Sequence, residues 1–181
     1  MKRSSRSLML ILLGYVAAGH GAQASCGDVF AHEVRVLRSE THVDLCERYQ
    51  GHPVLVVNTA SHCGYTPQFK QLESLYQAYQ SRGLRIAGFP SNDFRQESND
   101  EATTATVCFV NYGVTFDMYA PVRVAGDSAH PVFKSLAAAR SAPMWNFHKY
   151  LIDREGKVVA DFPSHTAPTD SAVTAALESV L

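Results

Sequence analysis

Several signatures are missing from this sequence, and each absence removes a class of function. No C-x-x-C pair occurs, so a local dithiol exchange site is excluded. No Walker loop, G-x-G-x-x-G or G-x-S-x-G is present, which removes the common nucleotide, dinucleotide and serine-hydrolase fingerprints. Eight histidines are present, yet none stands in H-E-x-x-H or another metal-ligand spacing, so no metal and no cofactor is expected. Charge of one sign is lacking too. Sixteen Lys and Arg oppose 17 Asp and Glu for a formal net charge of −1, which gives no electrostatic footprint for a nucleic-acid partner. No apolar run reaches the ~20 residues that span a bilayer. What is there is one ordinary domain: 181 residues, 46% hydrophobic and 18% charged, without internal repeat or interdomain linker.

The first two dozen residues differ from the rest. Lys2, Arg3 and Arg6 precede an apolar run from Leu8 to Ala18, and Ala22-Gln23-Ala24 offers small residues where a signal peptidase reads. Residues 1–24 are therefore expected to be a signal peptide and 25–181 the mature, exported domain, periplasmic or secreted. Gln23 stands where a lipoprotein signal wants an aliphatic residue, so a lipid anchor at Cys26 is the minor alternative. Export makes disulfides durable. Cys26 and Cys46 both precede the first strong strand, and a bridge closing a loop of that size stabilises by about 3 kcal/mol in the chain-entropy account. A Cys26–Cys46 disulfide is expected in preference to two unconnected thiols.

Beyond that stretch the periodicities alternate. Pro53-Val54-Leu55-Val56-Val57-Asn58 is a short apolar run, the mark of a strand buried on both faces. Phe69, Leu72, Leu75, Tyr76 and Tyr79 recur at spacings of three and four over residues 68–81, and Gly83 ends that helix. A second strand covers Leu84 to Phe89, so the unit implies a right-handed crossover and parallel pairing. A weak, Thr-rich helix follows over 101–111, then a short helix over 130–139 and a strand over 146–153. Asp153-Arg154-Glu155-Gly156-Lys157 turns the chain into a last strand, Val158 to Phe162, and Thr169-Asp170 caps a closing helix. The sum is a three-layer α/β domain with a mixed sheet, parallel at the front and antiparallel at the end.

Chemistry concentrates at Cys63. It lies in Asn58-Thr59-Ala60-Ser61-His62-Cys63-Gly64-Tyr65-Thr66-Pro67, where a buried strand ends and a helix is about to begin. Reactive groups gather at such strand ends, and free N–H groups with the positive end of a helix dipole favour a thiolate there. His62 and Lys70 offer cationic help. The bland alternative is a small buried hydrophobe. A cysteine-protease reading needs a base near Cys63, for which His148 or His165 are candidates without a signature.

The run from Val54 through Gly64-Tyr65-Thr66-Pro67-Gln68-Phe69 resembles the nucleophile segment of the glutathione peroxidase family. Gly88-Phe89-Pro90-Ser91-Asn92-Asp93-Phe94 with Gln96-Glu97 resembles its second motif, and the run from Trp145-Asn146-Phe147-His148-Lys149 to Gly156-Lys157 its third. The likeness covers about residues 28–163. It implies a thioredoxin-like fold, a mixed central sheet with helices on both faces, and reduction of hydroperoxides. Cys63 would be the peroxidatic residue, with Gln96, Trp145 and Asn146 as donors to developing charge. Its sulfenic acid would be cleared by a thiol reductant, glutathione or a thioredoxin-like protein.

The departures from the family pattern concern two of these residues. Phe94-Arg95-Gln96-Glu97-Ser98-Asn99 is one residue shorter than the family's loop and lacks its proline and glycine, so Gln96 is either still delivered to the site or lost from it. Cys108 lies near the position of the resolving cysteine in cysteine-type relatives, and one residue before it in plant-type ones. The short span from His130 to Trp145 lacks the insertion of tetrameric members, which favours a monomer. Two other classes stay open: a redox sensor or exchange protein with little turnover, and a degenerate scaffold.

Overall fold

The computed structural model describes residues 26–181, so the expected signal peptide lies outside the described residues. Cys26 is bridged to Cys46 with a Cα–Cα distance of 5.3 Å, the pairing expected from the sequence. Between them, α1 (Gly27–Phe30) leads into an antiparallel hairpin of β1 (Glu33–Arg35) and β2 (His42–Asp44), followed by α2 (Leu45–Tyr49). Asp44 caps α2 by accepting the N–H groups of Cys46 and Glu47.

The central sheet starts at β3 (Val54–Thr59), whose six residues are all buried. Helix α3 (Gln68–Tyr79) crosses over to β4 (Arg85–Pro90), which pairs parallel with β3. The link is tight because Gly83, at φ +108°, turns the chain in a conformation that L side chains avoid. After α4 (Glu101–Ala105), β5 (Asp117–Met118) adds a parallel edge to β4. Helix α5 (Pro131–Ala139) precedes β6 (Lys149–Ile152) and β7 (Val158–Phe162), which are antiparallel, and α6 (Ser171–Glu178) closes the chain behind its Asp170 cap. The strand order is β5-β4-β3-β6-β7, parallel on one side of β3 and antiparallel on the other.

Strand alternation divides the interior into two cores. Leu55 and Val57 point to the side covered by Phe69, Leu72 and Leu75 of α3 and by Val173 and Leu177 of α6. Val54 and Val56 point to the side covered by Phe30, Leu45, Val132, Phe133 and Leu136 from α1, α2 and α5. Helices thus lie on both faces, as the expected three-layer arrangement requires.

Two expectations need correction. The strand read over 146–153 begins only at Lys149, because Phe147 adopts φ +62° and bends Asn146, Phe147 and His148 into a turn. The helix read over 101–111 is real but changes pitch, since α4 continues as a π-helical segment, Thr106–Asn111. Such segments are rare and concentrate at functional or strained places.

Candidate active site

The carboxyl end of β3 runs directly into the turn that carries Cys63. Thr66 organises this turn. Its hydroxyl donates to the Ala60 carbonyl at 2.9 Å and accepts the Cys63 N–H at 3.0 Å, while its own N–H returns to the Cys63 carbonyl at 3.0 Å. The Tyr65 N–H then points at the Cys63 sulfur, 3.4 Å away. Cys63 is 7% exposed and forms no disulfide. The Tyr65 N–H is a donor placed on the sulfur itself, inside an otherwise nearly dry pocket. His62 and Lys70, the cationic helpers expected from the sequence, are both exposed. The groups that touch the turn are backbone amides and Thr66 instead.

The shortened loop still reaches the site. Its anchor is the buried carboxylate of Glu97, which accepts the Ser61 hydroxyl, the Ser98 N–H at 2.7 Å and the Thr104 hydroxyl at 3.0 Å. Arg95 takes up the missing length with φ +58°. As a result the Gln96 carbonyl accepts the N–H of His62, the residue before Cys63, at 2.9 Å. The Gln96 side chain accepts the Asn146 amide at 3.1 Å.

Asn58, fully buried near the end of β3, sets the third segment. Its amide donates to the Trp145 carbonyl at 3.1 Å, its side-chain oxygen accepts the His148 N–H at 3.0 Å, and its carbonyl accepts the Phe147 N–H at 2.6 Å. One side chain therefore fixes both ends of the bend that presents Asn146. Asn146 is fully buried, and its Oδ1 has no hydrogen-bond partner. Trp145 is 39% exposed, unlike a core tryptophan, and lies against Phe94 at 5.4 Å between ring centroids. Gln96 is thus bonded beside Cys63, Asn146 is bonded to Gln96, and Trp145 is tied to Asn58 and shares a cleft lining with Tyr65. Asn58, Thr66 and the Tyr65 amide were not singled out from the sequence. The signal for Asn58 was a polar residue closing an otherwise apolar buried strand.

Cys108 is set apart from that polar group. It occupies the π-helical segment, is 1% exposed, and its thiol is pushed up to about 12 by burial, with the nearby Glu97 charge adding to the effect. The next residue, Phe109, is 42% exposed. On the other side of Trp145, a cleft of about 540 Å³ is lined by residues that include Tyr65, Trp145, His148, Asp161 and His165. The buried Lys149 holds one of its walls. Its ammonium donates to Gln68 Oε1 at 2.9 Å and to the carbonyls of Thr166 at 2.6 Å and Ser164 at 3.4 Å, and burial pulls it down to about 7. Among the described residues no group of three or more His, Cys, Asp or Glu could hold a metal ion.

A buried free cysteine beyond the carboxyl end of a parallel strand, in a mixed sheet flanked by helices and with a backbone N–H on its sulfur, is the setting of a thiol-based redox enzyme of thioredoxin-like fold. The chain belongs to the glutathione peroxidase family, whose model matches residues 30–137. It is 44% identical over 128 residues to a glutathione peroxidase of Lactococcus lactis, covering 67% of this chain and 82% of that protein. A glutathione peroxidase-like peroxiredoxin of Chlamydomonas reinhardtii is 46% identical over 129 residues, 68% of this chain and 80% of its own. The crystal structure of Trgpx in its apo form superposes with a TM-score of 0.67 at 34% identity, over 84% of this chain and 95% of that one. The protein is a thiol-dependent peroxidase of this family, with a hydroperoxide as substrate and a thiol as reductant.

Proposed function

We propose that the chain is an exported monomeric peroxidase in which Cys63 is the reacting group. The Cys63 thiolate attacks the terminal oxygen of the hydroperoxide. An S–O bond forms, the O–O bond breaks, and the departing oxyanion takes a proton to leave as water or an alcohol, with Cys63 as sulfenic acid. Gln96, the Trp145 indole N–H and Asn146 stabilise the developing charge as preorganised donors. The observation that carries this reading is the contact between Asn146 and Gln96, with Gln96 bonded beside Cys63.

The Cys26–Cys46 disulfide supports export, since such bridges persist in oxidising compartments. The burial of Cys108 favours an external thiol, of the glutathione or thioredoxin type, as the direct reductant of Cys63. Resolution by Cys108 would require the π-helical segment to open first.

The test is stopped-flow oxidation of the reduced protein by hydrogen peroxide and by a lipid hydroperoxide, followed by turnover with glutathione or thioredoxin. Sustained peroxide consumption supports the enzyme. A single oxidation without turnover supports the sensor reading instead.

A further inference from the structure

His148 sits in a setting that peroxide reduction does not use. It stands at the third-motif position between Phe147 and Lys149 and lines the cleft beside Trp145 and Tyr65. Its Nε2 faces Asp161 Oδ2 at 3.4 Å, long for a hydrogen bond but within ion-pair range. That same carboxylate oxygen accepts the Ser141 hydroxyl at 3.0 Å, and Tyr150 holds Ser141 by donating to its carbonyl at 2.6 Å. The imidazole lies on the Tyr150 ring, 4.7 Å between centroids, and its backbone N–H is tied to Asn58, which also holds Trp145. The backbone that carries the ring is therefore held by the residue that sets the active-site bend, the ring itself rests on Tyr150, and an oriented carboxylate faces its buried Nε2 at ion-pair range without a hydrogen bond. A histidine with a carboxylate behind one nitrogen and a cleft beside it is the arrangement of a general base.

We propose that His148, oriented by Asp161, is the base that takes the proton from the reducing thiol bound in this cleft. The proposal rests on Cys63 being the peroxidatic residue. The step is R–SH plus Cys63 sulfenic acid giving the mixed disulfide and water. The thiol proton passes to the imidazole, the new S–S bond forms, the S–O bond breaks, and the leaving hydroxide is protonated to water. The thiol is oxidised and the sulfenic sulfur reduced. A second thiol then releases Cys63 as the thiol and carries off the disulfide.

The need is general: a thiol of ordinary pKa, ~8.5, is only a few per cent ionised at pH 7. Burial lowers the His148 imidazole, and this outweighs the opposing pull of Asp161, so the ring is neutral and ready to accept a proton at physiological pH. The titratable groups around it are Asp161 from β7, Lys149 and Tyr150 from β6, Tyr65 from the Cys63 turn, and His165 from the loop after β7.

The test separates the two half-reactions by following Trp145, the sole tryptophan, in stopped flow. His148→Gln, Asp161→Asn and His165→Gln are compared with the parent, using peroxide for oxidation. Reduction uses glutathione, mostly protonated at pH 7, or thionitrobenzoate, already ionised there. Expected is unchanged oxidation in all variants, with glutathione reduction slowed on the order of tenfold to a hundredfold in His148→Gln and less in Asp161→Asn. Reduction by thionitrobenzoate should be unaffected, and His165→Gln should behave as the parent. Equal slowing with both thiols, or none with glutathione, overturns the proposal. Failure of the parent to oxidise at all would instead sink the peroxidase assignment to Cys63.

Discussion

Cys63 and Cys108 belong to the same apolar cluster, and both are nearly inaccessible to water, yet their surroundings differ. Around Cys63 the chain has stopped being helical or extended, so its amides are free to turn inward, and one of them meets the sulfur. Cys108 lies within a run of π-helix, and burial, with the Glu97 charge adding to it, pushes its thiol up to about 12 against the opposing pull of its own backbone N–H. Burial alone therefore does not make a thiol reactive or inert. The two thiols differ in setting: a turn with a neighbouring residue's N–H on the sulfur at Cys63, and a helix interior beside the Glu97 carboxylate at Cys108.

The bluntest way to break this contrast is to exchange the sulfurs one at a time. Cys63→Ser is expected to bring peroxide reduction down to the uncatalysed rate, because a hydroxyl stays protonated where a thiol ionises. Cys108→Ser is expected to leave the rate of Cys63 oxidation within about twofold, measured by the same single-turnover assay. The next effect concerns the donors. Trp145→Phe and Asn146→Ala should each slow Cys63 oxidation by roughly tenfold to a thousandfold, the range for one preorganised donor. Unchanged kinetics in both variants would reduce them to structural residues. Asn58→Ala should slow oxidation as well, since it frees both ends of the bend, and should lower stability by about 1–3 kcal/mol for the buried groups left unpaired.

The smallest effect sharpens the contrast from the side of Cys108. Its thiol titrates higher in the fold, at about 12, than the ordinary value of 9.0, so the folded state holds this proton after the unfolded chain has lost it. The associated stability is complete below pH 9 and is lost as pH rises from 9 through 12. Between pH 8 and 10 the parent should lose about 1 kcal/mol more than Cys108→Ala, read from urea midpoints at the two pH values. Buried Tyr119 and Tyr150 are also raised and titrate in both proteins, so the difference between the two isolates the cysteine.

Much of this was legible in the sequence, for identifiable reasons. The apolar run Val54 to Val57 between Pro53 and Asn58 has few ways to fold other than as a buried strand, and residues 68–79 carry a helical stripe that Gly83 terminates a turn later. The three motifs also point to Cys63, Gln96, Trp145 and Asn146 as the candidate site residues. What the sequence hid was conformation that depends on distant partners. Phe147 looks like a strand residue, and only its bond to the Asn58 carbonyl accompanies the left-handed bend that shortens β6. The shorter loop at Gln96 left its delivery open, because the Glu97 anchor on Ser61 and Thr104 joins residues far apart in the chain. The closeness of His148 to Asp161 is likewise hidden in the sequence, since it depends on the bend at Phe147 and on the β6–β7 register that sets Asp161 opposite Tyr150.

The most direct test of the central claim, that the turn and not burial selects the reacting thiol, is a mapping of cysteine states after one equivalent of hydrogen peroxide. The reduced protein is oxidised in the presence of dimedone, which traps sulfenic acid, then denatured, alkylated and analysed by peptide mass spectrometry. The account predicts dimedone on Cys63, an alkylated and unoxidised Cys108, and an intact Cys26–Cys46 disulfide. Dimedone on Cys108, or an unmodified Cys63 beside consumed peroxide, would contradict it.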